Sequence, residues 1–149
     1  MDLGLSVKWA TMNIGATNDN LYGDCFTWWD TAPNMGKEWR MPTIDEFYEL
    51  LGNCTWEWTT LNGFEGLKLQ SEKPDYTDKS IFLPAAGYRD NYYVRLREQG
   101  SCCYYRTSNI EYDMPYTFEI ENNKRSGSWS WGASYDNRYN GQSIRAVCP

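Results

Sequence analysis

Hydrophobic and polar positions change period several times along the chain, and each change predicts an element. Near the start, Val7, Trp9 and Thr11 alternate with Lys8 and Ala10, so residues 3–14 read as strand material. Gly15 to Asp24 is rich in turn formers, residues 22–29 read as an aromatic strand or bend, and Thr31 to Lys37 as another loop. The period then becomes helical. Ile44, Phe47, Leu50 and Leu51 fall on one face, Thr43 and Glu46 have capping-box spacing, and Asp45 and Glu46 suit the positive end of a helix dipole. A helix is predicted over 44–51, ended by Gly52-Asn53 and packed under a sheet.

Beyond it the period returns to two. Thr55-Trp56-Glu57-Trp58-Thr59 alternates strictly, Asn62-Gly63 signals a tight turn, and residues 66–69 supply the returning strand. Residues 71–79 form a charged loop. Residues 80–87 are the most aliphatic run in the chain and are expected to be a buried central strand ended by Pro84. Residues 103–108 and 116–120 are further strand candidates, with a turn at 121–124. One or two helices among many short strands and long loops indicate an α+β fold in a single domain spanning 1–149.

The last segment, residues 125–147, has a different character. Trp129, Trp131, Tyr135 and Tyr139 are separated by Ser, Gly and Asn rather than by aliphatic residues, and a β-like run follows at 143–147. A core strand would supply Val, Ile or Leu. Rigid aromatics among small, adaptable polar residues instead have the composition of a binding surface.

Composition sharpens this reading. The chain has 149 residues, is 17% aromatic with 8 Trp and 12 Tyr, and has a mean hydropathy of -0.73. No apolar run approaches a membrane span, and Met1-Asp2-Leu3 does not begin a secretory signal. The net charge of -6 argues against nucleic acid as a general partner. The acidity sits in residues 1–84, at -7, while residues 85–149 carry +1, mostly as Arg, a residue favoured at interfaces. Without any His, Ser/His and Cys/His nucleophile systems are excluded. No carboxylate spacing marks a glycosidase pair, and neither an EF-hand nor a zinc spacing is present, so no enzyme activity, metal or cofactor is expected. The five cysteines are an odd number, which leaves at least one thiol outside any intramolecular disulfide.

Several segments together resemble a known family. They are residues 2–11 (DLGLSVKWAT), Tyr22-Gly23-Asp24, Trp39-Arg40-Met41-Pro42-Thr43, residues 82–89 (FLPAAGYR) and residues 137–145 (NRYNGQSIR). In order and spacing they are similar to the Fibrobacter succinogenes major paralogous domain over nearly the whole chain. The resemblance implies a C-type lectin-like fold of the formylglycine-generating-enzyme type, found on surface proteins of gut Bacteroidetes. It also implies kinship with the variable proteins of diversity-generating retroelements, whose C-terminal segment is rewritten by adenine-directed mutagenesis. The chain departs from the family at Arg106, where relatives have Trp, and at Ala146, where they have Pro. Mutagenised Asn codons ending in C or T can yield Tyr, Asp or Cys, which fits Tyr135, Asp136, Cys102 and Cys103 as varied positions. They cannot yield Trp, so Trp129 and Trp131 need another template codon or are fixed.

The expectation is a ligand-binding, adhesin-like domain of a longer cell-surface or secreted protein, attached as a lipoprotein or to a pilus. Its partner would be a protein or glycan on a host, a phage or a neighbouring cell, with pilus subunits as further candidates. The residues expected to contact ligand are Tyr93, Arg95, Tyr105, Arg106, Tyr112, Trp129, Trp131, Tyr135 and Asp136. Arg138, Tyr139 and Arg145 are assigned to the framework, with a buried carboxylate expected beside Arg145. Trp9, Trp28, Trp39, Trp56 and Trp58 are assigned to packing. The alternatives are a carbohydrate-binding module of fixed specificity and a structural pilus module.

Overall fold

A computed structural model of the chain describes residues 1–30, 35–92, 94–123 and 128–149. The short strand β1 (Lys8–Trp9) opens the fold, and an irregular course of loops leads to helix α1 (Ile44–Gly52). The capping box is formed: Thr43 Oγ1 accepts from Glu46 N at 3.2 Å, and Glu46 Oε2 accepts from Thr43 N at 2.7 Å. Arg40 adds a bidentate pair to the same carboxylate. Burial alone would raise the Glu46 carboxyl, but the donors from Arg40 and Thr43 outweigh it and hold the group below its ordinary value. At the other end Asn53 Nδ2 donates to Glu49 O at 2.7 Å and closes the last turn. Phe47, Leu50 and Leu51 are the buried face, as their spacing requires.

Strands β2 (Cys54–Leu61) and β3 (Phe64–Ser71) form the predicted hairpin. Asn62 and Gly63, at φ 50° and 88°, make the two-residue turn that the right-handed strand twist favours. Strand β4 (Ser80–Pro84) pairs with β3, so it lies at the edge of a three-stranded sheet in the order β2-β3-β4, not at the centre as expected. The expected burial is present, because other elements supply donors to its carbonyls. Arg145 Nη2 reaches Phe82 O at 2.7 Å and Tyr105 OH reaches Pro84 O at 3.3 Å.

A small hairpin, β5 (Tyr88–Asp90) with β6 (Arg95–Arg97), precedes the second large sheet. That sheet has the order β7 (Cys102–Glu111), β8 (Met114–Asn123), β9 (Ser128–Tyr135). The expected turn at 121–124 is not where the chain reverses, since β8 continues through Asn123. Finally β10 (Val147–Cys148) returns to pair antiparallel with β1, so the two ends of the chain lie side by side. Only these two residues of the 3–14 run become strand. The rest of that run bonds to single positions such as Ala146 O and Ile144 O.

The core lies between α1 and the two large sheets. Phe47 is its centre, stacked on Phe118 at 4.5 Å and packed against Trp9 at 5.0 Å and Tyr105 at 5.9 Å. Leu50, Leu67, Leu69, Leu83 and Ile120 complete it. Trp9 is fully buried, and Trp28, Trp39, Trp56 and Trp58 are half-buried. Gly87 is required where it stands. It has φ 66°, and a Cβ there would sit 1.9 Å from Arg97 O. Arg145 is buried, and among the described residues no carboxylate hydrogen-bonds to it. Its guanidinium donates to Asn13 Oδ1, Ala10 O and Phe82 O, so carbonyl oxygens take the place of the expected acid.

Candidate functional site

The β7–β8 connection is the two-residue turn Tyr112-Asp113, with φ 49° and 62°. Asn and Gly are the usual occupants of such a turn, because a Cβ is crowded at positive φ. A tyrosine here has its side chain 83% exposed. Just behind it Glu111 accepts hydrogen bonds from the hydroxyls of Tyr116 and Tyr135, the latter at 2.8 Å. Tyr116 and Tyr135 are opposite each other in the β8–β9 register, with hydroxyls 2.7 Å and ring centroids 4.5 Å apart. The two donors hold the Glu111 carboxyl below its ordinary value, and donating that bond pushes the Tyr116 phenol up.

Ion pairing and stacking extend this cluster. Asp113 pairs with Arg138, whose guanidinium lies 5.4 Å over the ring of Trp29. Trp29 is 60% exposed, and Tyr139 beside Arg138 is also exposed. Asn140 Oδ1 accepts from Asn91 N at 3.3 Å, which ties the tip of the β5–β6 hairpin, with exposed Tyr92, to the same loop. Four segments around residues 29, 91–92, 111–116 and 135–140 thus bring exposed aromatic rings to one end of the sheet, where Glu111 and Tyr116 hold Tyr135 and Arg138 stacks on Trp29.

Of the expected ligand-contacting residues, Tyr112 and Tyr135 lie in this cluster. Trp131 lies on the same face of β9 as Tyr135, about 13 Å along the strand. There it packs against Tyr48 of α1 at 6.0 Å while remaining 47% exposed. Arg95 is exposed on β6, in the hairpin whose tip borders the cluster. Tyr93 lies outside the described residues, as does the side chain of Trp129.

Asp136 is near the cluster but engaged within its own loop. Its carboxylate accepts from Asn137 N, Asn140 Nδ2 and Gln142 Nε2. Its geometry suits holding the 137–142 loop in shape. Tyr105 and Arg106 require correction, because both are buried. Tyr105 points into the core against Phe47, and Arg106 lies under the returning chain. The cause is tertiary. The open edge of β7 is covered by Gly87 and Ser143, which bridge to Cys103 and Tyr105, and Arg106 N donates to Ser143 O at 2.9 Å.

Sequence reasoning missed Trp29, Glu111 and Tyr116, and assigned Arg138 and Tyr139 to the framework. The readable signal was Tyr112-Asp113 between two alternating runs, which marks a hairpin tip. The other contributions come from segments far apart in the chain. Cys102 and Cys103 are buried as well, and burial pushes both thiols up, Cys102 to about 12. Among the described residues no three His, Cys, Asp or Glu side chains are placed to hold a metal, and no helix is long and apolar enough to cross a membrane.

No protein-family model matches the chain, and no curated protein or solved structure does.

Proposed function

We propose that the chain is a ligand-recognition domain of C-type lectin-like fold that binds through the aromatic end of its second sheet. The observation that carries this reading is the clustering of exposed rings at one end of the sheet, two of them held in place by neighbouring groups. Tyr135 and Trp29 are held by Glu111, Tyr116 and Arg138, and Tyr112 and Tyr139 stand exposed beside them. Rings held in one orientation lose little entropy on binding and supply large contact area, which is how aromatic anchors act at recognition surfaces. The paired chain ends and the short strands joined by long loops are consistent with the lectin-like fold.

In this reading the scaffold is fixed and the exposed positions are exchangeable. Tyrosine is one of the residues that adenine-directed mutagenesis of an Asn codon leaves, and Tyr112, Tyr135 and Tyr139 are each exposed. The domain is then the variable protein of a diversity-generating retroelement, displayed on a bacterial surface, and its ligand is a protein or glycan of another cell or phage. Binding of the fluorescently labelled domain to a glycan array and to panels of gut bacterial cells tests the face directly. Tyr135→Ala and Tyr112→Ala should each lower binding about tenfold or more, as anchor truncations do. Unchanged binding in both variants would remove the face from consideration.

A further inference from the structure

A second site lies on the other large sheet, and its argument does not rest on the proposed function. The β2-β3-β4 sheet turns one face to the core through Leu67, Leu69, Ile81 and Leu83. Successive residues of a strand point to opposite faces, so the other face carries the alternate rows of the register. Those rows are Thr55-Gln70-Ser80, Glu57-Lys68-Phe82 and Thr59-Gly66-Pro84. The Phe82 ring lies across Gly66, its Cζ only 2.6 Å from where a Cβ would stand, and it closes the floor of this face.

Two cavities lie over the same face. One, of about 430 Å³, is bounded on the far side by Thr11 and Asp19 of the N-terminal loops. The other, of about 250 Å³, extends to Thr55 and Gln70. Glu57 and Lys68 line both, so the cavities form one groove with two charges at its middle. The larger cavity alone is of the size that small-molecule sites have, roughly 300–1,000 Å³.

Glu57 and Lys68 are the unusual element. They are exposed and stand directly opposite each other on β2 and β3. Opposite charges in that relation ordinarily stabilise a sheet by pairing. Here no ion pair joins them, and neither hydrogen-bonds to another described residue. Both heads are open to the groove, a carboxylate that accepts beside an ammonium that donates. Asp19 adds a second carboxylate, and the Thr11, Thr59 and Ser80 hydroxyls can both donate and accept. Gln70 Nε2 is committed to Thr77 O at 2.6 Å, which leaves its Oε1 as an acceptor.

This mixture selects against a charged ligand. An anion drawn to Lys68 would face Glu57 and Asp19, and a cation drawn to those carboxylates would face Lys68. A neutral chain of hydroxyls meets neither penalty. We infer that the groove binds a neutral oligosaccharide, with one sugar ring between Glu57 and Lys68 and a neighbouring ring in the adjoining cavity. Two adjacent hydroxyls of the first ring suit the charged pair, one donating to the Glu57 carboxylate and the other accepting from Lys68 Nζ. Such charge-assisted bonds are the stronger kind, and they are available here because the pair is not spent on itself.

The test is a titration of the 15N-labelled full chain followed by NMR, reading the backbone amides of Glu57, Thr59 and Lys68. The neutral probes are cellotetraose, maltotetraose, xylotetraose and mannotetraose, with glucose, xylose and mannose as single rings. The charged probes are the tetramers of galacturonate and of glucosamine. The inference expects saturable shifts at these amides with at least one neutral tetramer, and binding about tenfold or more weaker for its single ring and for both charged tetramers. The tightest neutral tetramer identifies the sugar and its linkage. Glu57→Gln and Lys68→Gln should each weaken that binding about tenfold or more, the loss of a hydrogen bond to a charged group. Both positions are exposed, so the melting temperature should be kept. Absence of shifts with all four neutral tetramers overturns the inference, as does tighter binding of a charged tetramer or undiminished binding by both variants. Tyr112→Ala and Tyr135→Ala should leave tetramer binding at these amides unchanged, which separates failure of this groove from failure of the aromatic face.

Discussion

Replacing Tyr112 by asparagine should stabilise the domain. Tyr112 occupies the first position of a two-residue turn at φ 49°, and Asp113 follows at φ 62°. A side chain with a crowded Cβ costs about 1–2 kcal/mol in this left-handed region, while asparagine visits it readily. The tyrosine recovers little of that cost through packing, being 83% exposed. Allowing for the few contacts it does make, the net gain is about 0.5–1 kcal/mol. For a domain of this size such a gain raises the melting temperature by about 2–3 °C. Differential scanning calorimetry of the wild type and Tyr112→Asn at matched pH and salt reads the difference. The ring is held out by a strained turn, a cost expected where function requires exposure. A lower melting temperature in the variant would refute the reasoning, because it would mean that Tyr112 stabilises the fold through contacts and needs no functional account.

Other outcomes follow from the packing and the buried polar groups. Phe47→Ala should cost about 3–5 kcal/mol in denaturant unfolding, since the ring is fully buried and packs on Trp9, Tyr105 and Phe118. Gly87→Ala should destabilise by several kcal/mol or prevent folding, as shown by expression yield and circular dichroism, because its Cβ would collide with the Arg97 carbonyl. The Glu46 carboxyl is held below its ordinary value of 4.5, so it binds protons less readily when folded. Its contribution is therefore present above about pH 4.5 and is lost as pH falls through the depressed value. Urea midpoints of the wild type and Glu46→Gln should converge as pH drops below that range. Brief iodoacetamide treatment of native protein should label Cys25 ahead of the others in mass spectrometry. Cys54, Cys102, Cys103 and Cys148 are buried, and burial pushes the Cys54 thiol to about 11.

Local signals carried much of the fold. The α1 boundaries were legible because the cap, the apolar spacing and the terminator agree at Thr43, Phe47 and Asn53. The β2–β3 hairpin was legible because Asn62-Gly63 is a turn that few other dipeptides replace. What could not be read was which side of a strand another segment would cover. Tyr105 and Arg106 face opposite sides of β7, and sequence alternation suggests that one side meets solvent. Both are buried, because Tyr105 packs in the core against Phe47 while the segments around Phe26 and Asn140, distant in the chain, cover Arg106 on the other side. The same limit applies to β4, whose aliphatic run implied a central strand. It lies at a sheet edge whose carbonyls are supplied by Arg145 and Tyr105. At the candidate site Tyr112, Trp131 and Tyr135 were legible from composition. Trp29, Glu111 and Arg138 were not, because their roles depend on contacts between distant segments.

The most direct test of the central claim is the coding sequence itself, compared across many isolates that carry this locus. The account predicts substitutions confined to adenines and concentrated in codons for exposed positions such as Tyr112, Tyr135 and Tyr139. A template repeat and a reverse transcriptase gene should lie nearby, and the codons for Tyr105, Phe118 and Arg145 should be unchanged. Variation spread evenly over buried and exposed codons, or an invariant aromatic face with no template, would contradict a diversified recognition surface.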